Sequence, residues 1–498
     1  MAWIVADSFD YYSSTSDIAR SVWDSVANPA NASLGGGRFA GGQCLVLNSG
    51  FFGATKNFGN EPTVYIAVAY LHSGALSGGS YDSYFRFSDG ANAQFAICFM
   101  QNGSITLKSG SETGTIIATY ASAFNQDVWT HFQFQVLVDP AAGTFNVRKN
   151  GGPTNSFSAT GLNTRGGSAN SYVNSLYMST SGGAGAVDDL LVYSASGAAP
   201  NTWVGDVRGI CLPAVADTAQ KQFVPFLSAP VAVSNDTGTA FNAFASANFI
   251  YWTQPWVPSK NGTLSRVGFQ LGSTPAAGSM QYAIYDNSGT SGQPGKLLGV
   301  CSAIINPAGG APVYANAVGT IPLVATATYY AAVMANMVIQ PAGWNSPTTW
   351  YQNQTYASGF PATAAPTGTL GGTRLAYWIE ILGNNAQNVS EYRANGDTDY
   401  VLSANVNDED LYGIAPLPVT PFAIVGVVTH VYIRKSDAGT RQGQLRVKSG
   451  ATEVFGVDTA VSSTWSYLAR VDAVDPNTSA AWTLAAVNAL QIGQKVTL

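Results

Sequence analysis

The sequence predicts an all-β protein of three β-sandwich modules, with one short helix near the C-terminus. Four observations carry that prediction. The chain has 498 residues, and at roughly 150 residues per domain that is room for about three domains. Only 10% of residues are charged against 46% hydrophobic, too apolar for a disordered chain. The six Glu in the whole sequence are too few for a coiled coil. Apolar residues fall in many short stretches cut by Gly, Ser, Asn and Thr, none approaching the roughly 18 needed for a membrane-spanning helix.

The elements follow in order. Thr63 to Tyr70 is β-branched and aromatic, and Tyr84-Phe85-Arg86-Phe87 ends at the turn signal Ser88-Asp89-Gly90. His131 to Val138 alternates with period two, which puts Phe132, Phe134, Val136 and Val138 on one face. The hairpin Thr144 to Arg148 follows, closed by Lys149-Asn150-Gly151-Gly152. Half-apolar strands at this spacing call for two packed sheets, so residues 1–209 form the first sandwich. Residues 210–225 are expected as a linker. Residues 226–384 carry few charges and the strand candidates Phe249 to Trp252, Leu264 to Phe269, Met280 to Tyr285 and Thr328 to Val333. That is the second sandwich. In the third module, 385–498, strands recur at Val427 to Ile433 and Gly443 to Val447. Asp475 to Thr478 is expected to cap a helix whose apolar face is Trp482, Ala485, Ala486 and Leu490.

A net charge of −6 at pH 7 argues against nucleic acid, whose phosphates need clustered Lys and Arg. The N-terminus lacks the basic start and apolar run of a signal peptide. Cys44, Cys98, Cys211 and Cys301 lie far apart with no CxxC, and are expected as buried thiols made in a reducing cytoplasm.

Asp188-Asp189-Leu190-Leu191-Val192-Tyr193 and Gly205-Asp206-Val207-Arg208 resemble the closing strand and exit of laminin-G-like, concanavalin-like jelly rolls in tailed-bacteriophage virion proteins. Phe9-Asp10-Tyr11-Tyr12, Ala19-Arg20, Trp23, Gly37-Arg38 and Trp129 fit the same pattern. At the other end, Ile433 to Arg441, Ser449-Gly450, and Asp475-Pro476 through Trp482 to Ile492-Gly493 resemble a C-terminal module of such proteins. The departure is the middle. There Tyr285-Asp286 and Gly292 to Gly299 resemble an inserted carbohydrate-binding jelly roll. The resemblance implies a virion structural protein, a tail-fibre or tail-appendage component that binds host-surface glycan. Its implied partners are other virion proteins, copies of itself and host glycan, without nucleic acid or membrane insertion. It would be assembled in the host cytoplasm and exposed on the particle. A capsid decoration or head-fibre protein and a virion-associated polysaccharide depolymerase are the alternatives.

Glycoside hydrolysis needs two carboxylates at fixed separation, and no Glu-x-Asp-x-Glu strand is present. Asp188 and Asp189 are adjacent, so an ordinary strand points them to opposite faces, and structural acids bonded to backbone amides are expected. Asn407-Asp408-Glu409-Asp410 reads as a solvated loop. Its hard oxygens would suit calcium, but no cofactor or metal is predicted. His72, His131 and His430 are isolated, with no Gly-x-Ser-x-Gly elbow, so the expectation is no enzyme and no catalytic residue. Aromatics are the positive signal, because a pyranose presents an apolar C–H face to a ring. Trp256, Trp344, Trp350 and Tyr351, the last three in a Pro- and Asn-rich stretch read as a loop, are the expected glycan- or partner-binding residues. Trp252 and Trp378 read as core.

Overall fold

The computed structural model describes residues 3–48, 50–180, 185–197, 200–227, 247–258, 261–272, 275, 277–339, 343–344, 349–370, 374–382, 386, 389–390, 393 and 399–498. The chain divides into two compact units, Met1–Phe223 with Val389–Gly396 and Ser403–Leu498, and Val224–Asn388 with Asp397–Leu402. Strands dominate both, and every pairing between them is antiparallel among the described residues.

The first unit opens with a two-sheet sandwich. One sheet runs Phe157–Leu162, Gly143–Lys149, Thr130–Leu137, Thr63–His72, Gly185–Ser194, Gln43–Leu47 and Ala32–Gly36, with Trp3–Asp7 also paired to Gly185–Ser194. The other runs Thr115–Tyr120, Ile105–Ser109, Asn92–Met100, Tyr81–Asp89, Val173–Thr180, Gly53–Glu61 and Ser25–Ala27. Period-two alternation aims Phe132, Phe134 and Val136 into the interlayer, where they meet Phe85, Phe87, Phe95, Ile97 and Phe99. Burying these rings supplies the main drive for the two layers to pack.

The two sheets differ in what covers their outer faces. Behind the first, Tyr65, Ala67, Leu191 and Tyr193 are roofed by Trp3, Trp203, Val204, Val207 and Val425. This explains why Thr63–His72 and Gly185–Ser194 are buried nearly throughout. Gln133 fastens the roof, its Oε1 accepting from the Val204 and Gly205 amides at 2.9 and 3.1 Å. The roof leaves the outer face of the second sheet untouched.

The same unit contains the C-terminal module. Its sheet runs Ala214–Lys221, Glu409–Ile414, Gln491–Val496, Gln442–Ser449 and Thr452–Phe455, beside a ribbon of Val427–Ile433 and Ser466–Asp472. Residues 214–221 are therefore an edge strand of this sheet and not a linker, fixed where the Asp410 carboxylate accepts from the Gln222 and Phe223 amides. The helix is only Leu484–Asn488, and Thr483 caps it by accepting from the Ala486 amide at 3.1 Å. Asp475, expected as the cap, closes a separate turn by accepting from the Asn477 amide and the Thr478 hydroxyl. Trp482 and Leu490 are buried as expected but flank the helix, and the buried helical residue is Val487. Ala485 is exposed and Ala486 only half-buried. Tyr11 stacks on His430 at 4.2 Å, and the Tyr467 hydroxyl donates to the Tyr11 carbonyl at 3.1 Å, so the two modules share packing.

The second unit is also a sandwich. A sheet of Leu297–Val300, Ser279–Asp286, Tyr329–Ala335, Phe249–Trp252, Thr349–Asn353 and Gly368–Leu370 faces Pro312–Asn316, Gly262–Gln270, Pro322–Leu323 and Tyr377–Leu382. Val267, Phe269, Tyr282, Ile284, Val333 and Ile379 fill the interlayer. On the larger sheet's other face Trp252, Tyr285 and Tyr330 are covered by Tyr356, Phe360 and Ala364. The Tyr285 hydroxyl holds that cover by donating to the Pro361 carbonyl at 2.8 Å.

Candidate functional site

Of the four aromatics singled out from sequence, one is buried, two are half-buried in a strand, and the side chain of the fourth lies outside the described residues. Trp256 is 4% exposed and packs in the interlayer against Tyr329 at 5.4 Å. Trp350 and Tyr351 lie in the strand Thr349–Asn353, not a loop. Both are half-buried, Trp350 against the Trp252 cluster and Tyr351 on the interlayer side. Pro347 forbids a ladder bond only at its own position, and the β-branched and aromatic residues after it suit a strand. Trp344 starts a short strand, Gly343–Trp344, but its side chain lies outside the described residues. Trp252 is fully buried, whereas Trp378 is half-buried.

Asp188 and Asp189 are structural, although a bulge rather than a regular strand holds them. Asp189 has φ +50°, and the pairing to Thr63–His72 slips between Asp188 and Leu191. Asp188 accepts from the Arg38 and Asp189 amides at 2.7 and 2.8 Å, and Asp189 accepts from the Gly209 amide at 2.7 Å. The Arg38 guanidinium grips Asp206 with bonds of 2.5 and 2.6 Å and lies 3.7 Å from Asp189. Residues of the Gly37-Arg38, Asp188-Asp189 and Gly205-Asp206-Val207-Arg208 motifs thus make one lock that ties the exit to the first sheet. Burial, then the mutual repulsion of the pair, pushes the Asp188 carboxyl above its ordinary range, and burial raises Asp189.

The histidines and cysteines are buried singly. His72 Nδ1 meets Asp82 at 2.5 Å, both nearly inaccessible. Burial pushes His131 and His430 down to about 4. All four cysteines are free thiols, three buried and Cys211 half-buried. Among the described residues no group of three or more His, Cys, Asp or Glu is placed to hold a metal ion. Asp408 accepts from Ser403 and Asn405, and Asp410 from backbone amides and Tyr412.

The open outer face of the seven-stranded sheet is different. Cross-strand register lines up Thr55, Tyr177, Arg86, Ala96, Lys108 and Ile116 on five neighbouring pairings. A second row runs Ser179, Tyr84, Cys98 and Thr106. Tyr84 is braced edge-on by Tyr81 at 5.4 Å and approached by Tyr177 at 6.1 Å, with Phe51, 47% exposed, beyond Tyr177 at 6.3 Å. Gly53 permits this, because a Cβ there would lie 2.3 Å from the Tyr177 hydroxyl oxygen.

Two cations lie on these rings. Arg86 sits 4.6 Å from the centre of Tyr177 and Lys108 Nζ 5.1 Å from that of Tyr81. Glu112, in the loop between Ile105–Ser109 and Thr115–Tyr120, bonds both. Its carboxylate takes Arg86 at 3.1 Å and its carbonyl takes Lys108 at 2.5 Å. A cavity of about 520 Å³ opens here, lined by Gly79, Ser80, Tyr81, Gln101, Lys108, Glu112 and Thr113, within the usual span of small-ligand sites. Burial raises Tyr84 and Cys98 to about 12; Tyr84, Ala96 and Cys98 are buried, so what the face offers is the half-buried Tyr81 and Tyr177 and the charges of Arg86 and Glu112. Such a surface can stack sugar rings and bond their hydroxyls. Sequence reasoning passed over it, although Phe95-Ala96-Ile97-Cys98-Phe99-Met100 is apolar in both strand phases and Tyr84-x-Arg86 sits in the outward phase.

No protein-family model matches the chain, and no curated protein sequence matches it. Solved structures similar to part of it include an alginate lyase from Chlorella virus, 11% identical over 35% of this chain and 93% of that one, TM-score 0.26. A carbohydrate-binding module from Bacillus subtilis is 8% identical over 35% and 97%, TM-score 0.24. The catalytic domain of a glycoside hydrolase from Coprinopsis cinerea is 12% identical over 41% and 99%, TM-score 0.27. Two of these are enzymes, which corrects the expectation of a non-enzyme: the exclusion of catalysis is withdrawn, and no reaction is thereby assigned to these residues.

Proposed function

We propose that this chain is a structural component of a tailed-bacteriophage virion, in a tail fibre or tail appendage, and that it binds host-surface glycan through the open face of its first sandwich. The observation that carries the glycan reading is the pair of half-buried rings Tyr81 and Tyr177, set on either side of the buried Tyr84, with Arg86 and Lys108 laid over them. Half-buried rings with cations on one face and hydroxyls at their edges suit a pyranose, apolar on its C–H side and hydroxylated around its rim. The virion reading is supported by the motif order at both ends of the chain. Copies of the chain would act together, turning a weak single site into firm attachment.

Binding of the whole protein to bacterial surface polysaccharide, wild type beside Tyr81→Ala and Tyr177→Ala, tests the first part. Both rings are half-buried on the outer face, so the variants should fold and lose about tenfold or more in affinity, the ~1–3 kcal/mol typical of a stacked ring. Unchanged binding would remove this face from the account. Antibody labelling of phage particles tests the second part: label at the tail supports it, label at capsid symmetry sites moves the protein to the head, and unlabelled particles end the virion reading.

A further inference from the structure

We propose that the open face selects carboxylate-bearing glycans, and that Glu112 is a tethered stand-in for the ligand's carboxylate. This rests on the reading that the face binds glycan and names the class. Arg86 and Lys108 flank Ala96 on one cross-strand row. With neighbouring strands ~4.8 Å apart, their Cα atoms are about 10 Å from each other across a floor that Ala96 leaves low. Each cation lies on a tyrosine ring, so its position is set by the floor.

Both cations are already engaged by one residue. Glu112 bonds Arg86 through its carboxylate and Lys108 through its carbonyl, and it comes from the turn Gly110 to Gly114, not from the sheet. The Arg86–Glu112 pair is not deeply buried, with 29% and 16% of the side chains exposed, and such pairs hold weakly. A uronate carboxylate fits the same guanidinium fork in the same way. A neutral sugar gains nothing from displacing Glu112, whereas an acidic one replaces it charge for charge. Arg86, held in place by Tyr177, then reads the ligand's carboxylate.

The arrangement makes a prediction of unusual sign. Removing a charged residue from the site should tighten binding. Whole protein is titrated with polygalacturonate and, separately, with dextran, as wild type, Glu112→Gln, Glu112→Ala and Arg86→Met, each checked by thermal melting. The expected result is tighter polygalacturonate binding by both Glu112 variants, about threefold to fivefold, as release of a weak ion pair allows. Arg86→Met should weaken it, and added salt should weaken the wild type. Dextran, which has no carboxylate to replace Glu112, should show no gain in affinity in the Glu112 variants. Unchanged or weaker polygalacturonate binding by the Glu112 variants overturns the inference, as does failure of every variant to bind it. If Tyr81→Ala and Tyr177→Ala still abolish dextran binding, only the acid selectivity has failed. If they alter neither ligand, the glycan face itself has failed.

Discussion

Replacing Arg38 by methionine tests how the exit segment is held. Methionine keeps much of the apolar stem but deletes the guanidinium that binds Asp206 at 2.5 and 2.6 Å and approaches Asp189 to 3.7 Å. Asp206 is 37% exposed and would rehydrate, so its bonds count little; Asp189 is 3% exposed and would keep only the Gly209 amide. Removing one partner of a fully buried pair costs about 3–5 kcal/mol. Discounting for the exposed half, about 2–3 kcal/mol is expected. The cost should depend on pH. Burial already raises Asp189, and Arg38 opposes that rise. Without Arg38 the carboxyl can escape by taking a proton in acid but stays uncompensated in base, so the destabilisation should be larger at pH 8 than at pH 5. Urea unfolding followed by tryptophan fluorescence measures both. A loss below about 0.5 kcal/mol, or one equal at the two pH values, would refute the claim that the lock works by charge.

Two further outcomes follow from burial. Asp7 is raised to about 6 by desolvation, and Asp188 and Asp189 are raised too, so the folded chain keeps protons that the unfolded chain releases. Their contribution is full below the ordinary carboxylate range and lost as pH rises through the folded values. His131 and His430, lowered to about 4, act oppositely between there and about 6.5, the ordinary histidine value. Above about 6.5 the aspartates act alone, so the melting temperature should fall from pH 6.5 to 8, and Asp189→Asn should flatten the fall. Trp256→Ala should cost about 3–5 kcal/mol, as loss of a buried aromatic does, and a melt unchanged within error would contradict its interlayer position.

The fold was legible where the sequence obeys one local rule at a time. Phe132, Phe134 and Val136 alternate, and alternation has a single structural meaning when one face is buried. The middle module's strands were legible for the same reason. Reading failed where two local rules compete. Pro347 and its polar neighbours suggested a loop through Tyr351, but the strand begins at Thr349. Asp475 has the chemistry of a helix cap, yet its bonds close a turn, and Thr483 caps the helix eight residues later. Residues 214–221 looked like a linker because their partner, Glu409–Ile414, is nearly two hundred residues away. As a mostly exposed edge strand, this segment buries little of either face, and so shows no apolar alternation.

The proposed face is hidden in the sequence for a related reason. Isolated tryptophans stand out in a sequence, and Trp256 and Trp252 are conspicuous because large rings are what cores use. A binding face on a sheet is distributed differently. Tyr81, Arg86, Lys108, Glu112 and Tyr177 come from three strands and a turn; cross-strand register puts Tyr177, Arg86 and Lys108 in one row, and Tyr81 and Glu112 flank it. What marks the row is what the rest of the fold does around it. The back of the first sheet is sealed by Trp203, Val204, Val207 and Val425, with Gln133 spent on holding two backbone amides. The second sheet has comparable apolar material on its outer face, Tyr84, Ala96, Cys98 and Met100, and its cover is two half-buried tyrosines that carry two cations. A cation on a ring does not by itself set the face apart, since Arg148 lies on Trp203 in the roof of the first sheet at 4.3 Å; what is peculiar to the second sheet is that Glu112 comes in from a turn to meet both Arg86 and Lys108. That pairing of floor and charge is the reason for placing the ligand there.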